Sequence, residues 1–185
     1  MKNVLVKDLM VPLAEYATVE ERATLFEAVL ALEHAHERLD PKRPKHRAIL
    51  VVDEERRVVG KIGFREVLKS LEKKYVEIDE LKGVGGNFTP EFIQSQLRKY
   101  SLLQQPLNDI CRKAAHVRVT EFMHIPRDDE YIAPDATLDQ AIHQLIMNEK
   151  LSLLVKDGRT VIGILRLSDV VDKIWEIMKA CEFTS

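Results

Sequence analysis

One stretch near the end of the sequence is typical of a strand that turns sharply into a helix. It covers residues 161–174, VIGILRLSDVVDKI, and it places Asp169 just inside the predicted helix. A carboxylate at this position can accept a hydrogen bond from the backbone at the helix start and suits the helix dipole. The same carboxylate is also available to hold a ligand. The stretch alone leaves both roles open.

Motifs that support catalysis are absent from the sequence. It contains no G-x-S-x-G nucleophile elbow, no HExxH helix and no zinc spacing. The glycine-rich stretch KGVGGN at 82–87 lacks both GK[ST] and G-x-G-x-x-G, so it does not predict a phosphate-binding loop. We therefore expect a protein that is not an enzyme and that has no metal site.

Composition indicates an ordinary globular protein. Of 185 residues, 45% are hydrophobic and 31% are charged, and the net charge of −2 provides no overall field to attract nucleic acid or membrane. The two cysteines, Cys111 and Cys181, have no CxxC spacing, which favours reduced thiols. No apolar run reaches the roughly 18 residues of a membrane span, and the N-terminus lacks signal-peptide features. We expect a cytoplasmic location.

The sequence contains an internal repeat. ATLFEAVLAL at 23–32 is related to ATLDQAIHQL at 136–145, an offset of 136 − 23 = 113. Downstream, Gly60 matches Gly163, an offset of 163 − 60 = 103. Repeat 1 therefore has 113 − 103 = 10 extra residues, which we place between residues 32 and 47, a span that includes the loop DPKRPK.

Each repeat predicts the same order of elements, β-α-β-β-α. A short strand near Val19 or Ile132 precedes the first helix, and the candidate N-caps are Thr24 and Thr137 or the residues just before them. An apolar strand, a turn, a second strand and a second helix follow. The first helix of each repeat has apolar residues at the i, i+3, i+4, i+7 spacing of a buried face. These residues are Leu25, Ala28, Val29 and Leu32, and Leu138, Ala141, Ile142 and Leu145.

A helical linker separates the repeats. Thr89 and Pro90 are typical helix-start residues, and Pro106 begins a further short helix. We expect this segment to pack on the repeats or to contribute to a dimer. The C-terminal stripe of Val171, Ile174, Trp175 and Met178 favours a core or dimer helix. The predicted boundaries are 1–75 for repeat 1, 76–115 for the linker and 116–185 for repeat 2.

Taken together, the motifs resemble a tandem pair of CBS domains, often called a Bateman module. Each repeat has V-x-[DE]-h-M at its start, ATL-x-x-A-h in its first helix and G-h-h-x-x-x-[DE]-h at its strand–helix turn, across residues 3–75 and 116–179. The resemblance implies an α/β (α+β) fold in which two repeats pack with pseudo-two-fold symmetry and leave two clefts. Many members bind AMP, ADP, ATP or S-adenosylmethionine there, form dimers, and sense rather than catalyse.

The family pattern [ST]-x-x-D at the strand–helix turn suits a nucleotide. One carboxylate can accept hydrogen bonds from both ribose hydroxyls, and the helix N-terminus offers N–H groups to a phosphate. Repeat 2 has Arg166 and Asp169 at the two positions, and repeat 1 has Gly63 and Glu66, so neither keeps the first hydroxyl. Ser168 is a candidate replacement hydroxyl. Arg166 favours an anionic nucleotide over a cationic ligand such as S-adenosylmethionine.

A basic residue at the start of the first apolar strand often contacts phosphate in the family. Arg47 and Lys150 match this position, because 150 − 47 = 103. By resemblance, each cleft draws on both repeats. Asp169, Ser168 and Arg166 are expected to face Ala23, Ala28 and Arg47, whereas Glu66 and Gly63 are expected to face Ala136, Ala141 and Lys150. For the charged residues a solvated surface role remains open, and for Ala28 and Ala141 plain helix packing remains open.

Three functions remain open at this point. The first is a regulatory homodimer that binds an adenine nucleotide, needs no obligatory cofactor and signals to a protein partner that the sequence does not identify. The second is a structural dimerisation scaffold whose clefts no longer bind nucleotide. The third is a DNA-associated regulator that uses the basic loop KRPKHR at 42–47, which we disfavour because no aromatic residues alternate with the basic ones.

Overall fold

The computed structural model describes residues 4–37, 45–72, 74–75, 89–100 and 105–182. Most of the DPKRPK loop, half of the basic stretch 42–47 and all of the glycine-rich stretch 82–87 lie outside these ranges. None of the helices within the described ranges is both long and apolar enough to cross a membrane.

Both repeats follow the predicted order of elements. Repeat 1 begins with a short segment that contains α1 (Val6–Leu9) and β1 (Val11–Pro12). Its body consists of β2 (Thr18–Glu20), α2 (Leu25–Glu37), β3 (Ala48–Val52), β4 (Val58–Gly63) and α3 (Phe64–Ser70). The linker contains α4 (Pro90–Tyr100) and α5 (Leu107–Ala115). Repeat 2 contains β5 (Tyr131–Ile132), α6 (Leu138–Met147), β6 (Ser152–Asp157), β7 (Thr160–Arg166) and α7 (Leu167–Glu182).

Each repeat has its own small sheet. In repeat 1 the strand order is β2-β3-β4, with β2 parallel and β4 antiparallel to the central strand. In repeat 2 the order is β1-β7-β6-β5, so the N-terminal strand β1 joins the sheet of the other repeat. The predicted mixed α/β architecture is confirmed, with this added strand exchange.

The predicted N-caps are present. The hydroxyl of Thr24 accepts from the N–H of Glu27 at 3.3 Å, and the Glu27 carboxylate accepts from the N–H of Thr24 at 2.7 Å. Gln140 likewise accepts from the N–H of Thr137 at 2.9 Å, and Thr89 accepts from the N–H of Phe92 at 3.2 Å. The Thr24–Glu27 bonds are reciprocal, and all of these bonds satisfy donors that have no partner inside the helix.

Three hydrophobic clusters hold the repeats together. One lies under α2 in repeat 1 and one under α6 in repeat 2, and both contain the predicted apolar stripes. The third cluster lies between the repeats, where Leu50 and Leu154 are almost completely buried against Val11 and Ile164. Burial of this apolar surface is the main force that joins the two halves.

The segments that open the repeats are exchanged. Val6 packs in the core of repeat 2, and Val119 packs in the core of repeat 1. The N–H of Val6 donates to the carbonyl of Ala136 at 2.9 Å, and the N–H of Val119 donates to the carbonyl of Ala23 at 2.9 Å. Each V-x-[DE]-h-M motif therefore connects its own repeat to the other one.

The linker helices differ in burial. Ile110 and Ala114 of α5 are buried, and Ala114 belongs to the core of repeat 1. Ile93 and Leu97 of α4 are 50% and 41% exposed. The predicted packing role is thus realised by α5, whereas α4 presents apolar side chains to the surface.

Candidate functional site

The turn from β7 into α7 places Asp169 as the sequence predicts. Arg166 is the last residue of β7, and its N–H donates to Oδ2 of Asp169 at 3.2 Å. At the equivalent turn of repeat 1, the N–H of Gly63 donates to Oε2 of Glu66 at 3.0 Å. Both acidic residues therefore cap their helices.

The side chain of Arg166 pairs with both oxygens of Asp169. Its Nε lies 2.7 Å from Oδ2, and its second terminal nitrogen donates to Oδ1. The two side chains are only 8% and 12% exposed. A partly buried, bidentate pair of this kind is among the stronger polar interactions of proteins.

Repeat 1 contributes two aromatic side chains to this pair. His46 is completely buried, and its Nδ1 lies 3.4 Å from a terminal nitrogen of Arg166. The ring of Tyr16 packs on His46 with a centroid separation of 4.2 Å. Tyr16, His46, Arg166 and Asp169 come from both repeats and pack into a nearly closed group, which we call the Asp169 cleft.

The burial of the Asp169 cleft changes its acid–base chemistry. Burial, followed by the nearby positive charge of Arg166, lowers the pKa of His46 to about 4. Burial also raises the pKa of Tyr16 to about 12. At neutral pH the His46 ring is therefore uncharged and the Tyr16 hydroxyl is protonated, so Arg166 and Asp169 carry the two formal charges of the cleft.

The strand register corrects one predicted equivalence. Val19 pairs with Val51, and Ile132 pairs with Val155, so β6 matches β3 at an offset of 155 − 51 = 104. Lys150 is consequently the counterpart of His46 rather than of Arg47. The prediction was wrong because we assigned all ten extra residues to the loop before β3.

One of those ten residues lies in the β3–β4 turn. Five residues separate the paired Val52 and Val58, whereas four separate Lys156 and Val161. The longer turn is closed by Asp53, whose carboxylate accepts from the N–H of Arg57 at 2.8 Å. A one-residue shift moves every side chain of a strand to the opposite face, so this difference decides which basic residue faces the cleft.

A second charged group lies between the repeats. Glu130 is 1% exposed, and the ammonium groups of Lys61 and Lys150 lie 2.9 Å and 3.3 Å from its carboxylate. Nε2 of His124 also donates to this carboxylate. We call these four residues the Glu130 cluster. Burial opposes ionisation of Glu130, but hydrogen bonds from His124 and Lys61 outweigh it and lower its pKa to about 2.

The Glu130 cluster replaces apolar residues of the other half. His124 forms a β-bridge with Lys61 in one half, and Val11 pairs with Ile164 in the other. The offsets agree with the repeat, because 124 − 11 = 113 and 164 − 61 = 103. The Val11–Ile164 contact is apolar, whereas its symmetry equivalent, the His124–Lys61 contact, belongs to a polar network.

The remaining predicted site residues lie in several environments. Ser168 and Arg47 are exposed. Ala28 and Ala141 are completely buried in the cores of their own repeats, which is the packing role that the sequence left open. Ala23 and Ala136 are partly buried beside the exchanged segments. Lys150 contacts Asp129 and Glu130, whereas the contact of Glu66 described above is with its own helix start.

Sequence reasoning missed Tyr16 and His46. Tyr16 lies in an irregular segment outside the motifs, so no spacing pointed to it. His46 directly precedes Arg47, and the correct strand register would have selected it. Only the pairing of the strands shows that His46 and Lys150 are equivalent positions of the two repeats.

The fold and site define a class of protein: a tandem-repeat module in which each repeat places an acidic side chain at a strand–helix turn. Comparison identifies the class. The family model for the CBS domain matches residues 6–73 and 119–176, and the chain therefore belongs to the CBS-domain family. CBS domains are regulatory ligand-binding modules.

Solved structures share this fold at low sequence identity. CBSX2 in complex with AMP is 18% identical, with a TM-score of 0.60, and the match covers 95% of this chain and 99% of that one. A CBS-domain protein of unknown function from Bacillus anthracis is 16% identical, with a TM-score of 0.60 and 95% of both chains covered. The CBS domain of a membrane protein from Sphaerobacter thermophilus is 17% identical, with a TM-score of 0.59, covering 93% of this chain and 88% of that one. No curated protein matches the sequence.

Proposed function

We propose that this protein is a regulatory module that binds an adenine nucleotide, AMP, ADP or ATP, in the clefts between its repeats. The observation that supports this most directly is the position of Asp169 at the start of α7, beside Arg166 and opposite His46 of the other repeat. This arrangement combines an acceptor for ribose hydroxyls with a cation for phosphate. The AMP complex of CBSX2, which shares the fold, supports the same ligand class.

The proposal assigns roles to three side chains of the Asp169 cleft. Asp169 accepts from the ribose hydroxyls, Arg166 binds phosphate, and His46 lies against the ligand. In the second cleft, Lys150 provides positive charge and Gly63 leaves room where repeat 2 has an arginine. Binding acts by linkage, because a ligand that prefers one conformation stabilises it, and a partner protein responds to that conformation. No catalytic step is proposed.

Thermal unfolding with AMP, ADP, ATP and S-adenosylmethionine tests the proposal. A ligand at 100 times its dissociation constant stabilises the folded state by about 2.7 kcal/mol, which raises the midpoint of a domain of this size by roughly 5–10 °C. Asp169→Asn is expected to abolish the increase, and Asp172→Asn, an exposed change in the same helix, is expected to retain it. Circular dichroism confirms that each variant is folded. Failure of every nucleotide to stabilise the wild type contradicts the proposal.

A structural scaffold is the second candidate, and one observation favours it. Both oxygens of Asp169 already pair with Arg166 inside the protein. If the clefts have lost their ligand, this pair serves packing alone. The scaffold then predicts no nucleotide effect on thermal unfolding together with a stable dimer.

We further propose that the protein is a cytoplasmic homodimer. The outer faces of neighbouring helices α6 and α7 expose large apolar side chains, namely Ile146, Met147, Trp175 and Met178, each between 57% and 66% exposed. Such a surface is typical of a protein interface. Analytical ultracentrifugation is expected to give twice the 21.3 kDa chain mass. Trp175→Glu is expected to shift the protein toward monomer.

A further inference from the structure

The Asp169 cleft contains a competition between the protein and its ligand. Nε and a terminal nitrogen of Arg166 contact the two oxygens of Asp169. A ribose needs the same two oxygens for its adjacent hydroxyls. A nucleotide therefore cannot reach Asp169 until the guanidinium group moves away.

Neutral hydroxyls are poor competitors for this carboxylate. A hydroxyl can form a strong hydrogen bond with a carboxylate, but it brings no positive charge, whereas the guanidinium group of Arg166 contributes both a full charge and a bidentate geometry. The pair is also nearly buried, so moving Arg166 alone would leave two uncompensated charges, which is costly. A nucleoside without phosphate offers hydroxyls to Asp169 but nothing to Arg166.

A phosphate changes this balance because it provides a new partner for the guanidinium group. Arginine binds phosphate in the same bidentate geometry as it binds carboxylate. In the resulting exchange, Arg166 pairs with the phosphate and Asp169 accepts the ribose hydroxyls. His46, 3.4 Å from Arg166 and uncharged, adds no repulsion toward the displaced cation.

We propose that Arg166 determines ligand specificity by competing with the ligand for Asp169, so that phosphorylated adenosine ligands bind and neutral or cationic ones do not. This inference rests on the proposed nucleotide binding. It predicts that adenosine and S-adenosylmethionine bind weakly even though each carries the ribose that Asp169 recognises. The ligand class is thereby an adenosine with at least one phosphate.

Calorimetric titration of AMP and adenosine into four proteins tests the inference. The wild type is expected to bind AMP at least about tenfold more tightly than adenosine. Arg166→Ser removes the competitor, so adenosine should bind about tenfold more tightly than it does to the wild type, and the preference for AMP should fall to about threefold or less. Arg166→Lys keeps a charge without the bidentate geometry and should retain a preference for AMP. Arg159→Ser, an exposed change in the β6–β7 turn, should match the wild type.

A second measurement covers the case in which Arg166→Ser does not fold. The Nε–H resonance of Arg166 in the wild type, assigned by its loss in Arg166→Lys, reports directly on the pair with Asp169. AMP is expected to shift this resonance, and adenosine at the same concentration is expected to leave it unchanged. A shift of equal size with adenosine overturns the inference.

The outcomes separate the two proposals. Equal binding of AMP and adenosine by the wild type, or unchanged adenosine affinity in folded Arg166→Ser, overturns the role of Arg166 and leaves nucleotide binding intact. Absence of binding by the wild type, Arg166→Ser and Arg166→Lys overturns the proposed function, and the inference falls with it.

Discussion

The ammonium group of Lys61 lies 2.9 Å from the carboxylate of Glu130, and this ion pair joins repeat 1 to repeat 2. The two side chains are 14% and 1% exposed. Ile164 and Ala17 hold the corresponding positions in the other half, since 164 − 61 = 103 and 130 − 17 = 113, and both are buried. The same architecture therefore accepts either a polar network or apolar packing at this contact.

Breaking this network should destabilise the fold. Lys61→Met leaves a buried carboxylate with one cation fewer, and we expect the free energy of unfolding to fall by about 3 kcal/mol. Lys7→Met, an exposed change in α1, should alter it by less than about 0.5 kcal/mol. Urea unfolding followed by circular dichroism measures both.

Replacing three of the four residues of the Glu130 cluster with apolar residues should cost less than breaking its Lys61–Glu130 pair. The triple variant Lys61→Ile, His124→Val, Glu130→Ala copies the residues of the other half. We expect it to be more stable than Lys61→Met, because apolar residues that fill the space often substitute for a buried ion pair without loss. A triple variant less stable than Lys61→Met would show that the two halves are not interchangeable.

Acidification should destabilise the protein in two successive pH ranges, which overlap only between pH 4.5 and 4. The pKa of His46 is about 4 in the folded state and about 6.5 when unfolded, so the unfolded state binds more protons between these values. The contribution of His46 is complete above pH 6.5 and is lost as the pH falls to 4, in total on the order of 3 kcal/mol. Glu130, with a folded pKa of about 2, contributes fully above pH 4.5 and loses this contribution as the pH falls toward 2.

Two variants test whether His46 causes the loss of stability in the upper pH range. The groups that face its ring are Tyr16, Arg166 and Asp169, together with His36, which donates to its backbone carbonyl. In His46→Gln, the change in unfolding free energy between pH 7.5 and 5 should shrink. The same change in His116→Gln, at an exposed position, should equal that of the wild type. An unaltered pH dependence in folded His46→Gln contradicts the assignment.

The close approach of the two repeats explains two glycines. A Cβ on Gly163 would lie 2.6 Å from the backbone oxygen of Val11, and a Cβ on Gly60 would collide with the Sδ of Met123. In each case the obstacle belongs to the exchanged segment of the other repeat. In each half, the glycine of the strand–helix motif therefore leaves the space into which the methionine end of the opening motif packs.

The two glycines should respond differently to alanine. Gly163→Ala meets backbone, which cannot move aside, and should cost about 3 kcal/mol, whereas Gly60→Ala meets a flexible side-chain end and should cost about 1 kcal/mol. Adding Met123→Ala should recover part of the loss in Gly60→Ala. Adding Met10→Ala should not recover the stability that is lost in Gly163→Ala. A double-mutant cycle from urea unfolding measures both couplings, and equal recovery would contradict the packing assignment.

Much of the fold was predictable from the sequence because its periodicity is local. The apolar stripes, the N-caps Thr24, Thr89 and Thr137, and the order of elements depend on residues close together in the chain. The exchange of β1 between the repeats was not predictable, because strand pairing over long distances leaves no pattern in either segment alone. Asp169 could be placed at a helix start from sequence, but its pairing with Arg166 depends on side-chain conformation.

The misassigned equivalence of Arg47 has a physical cause. The predicted alignment used the same offset of 103 residues on both sides of the turn between the two strands. It therefore missed a single inserted residue in that turn. In this chain the inserted residue lies between β3 and β4, and it shifts β3 by one position relative to the predicted alignment. Because side chains alternate along a strand, the shift exchanged an exposed arginine for a buried histidine in the predicted site.

The strand register makes a final prediction about neighbouring residues. His46 is buried beside Arg166, whereas Arg47 is exposed. If the Asp169 cleft binds AMP, His46→Gln should weaken binding by about tenfold, and Arg47→Gln should change it by less than about threefold. The two variants receive the same replacement at adjacent positions, so composition and local chain context are matched. Isothermal titration at pH 7.5 keeps the wild-type histidine uncharged. A larger loss of affinity in Arg47→Gln than in His46→Gln would contradict this prediction and favour a phosphate contact by Arg47.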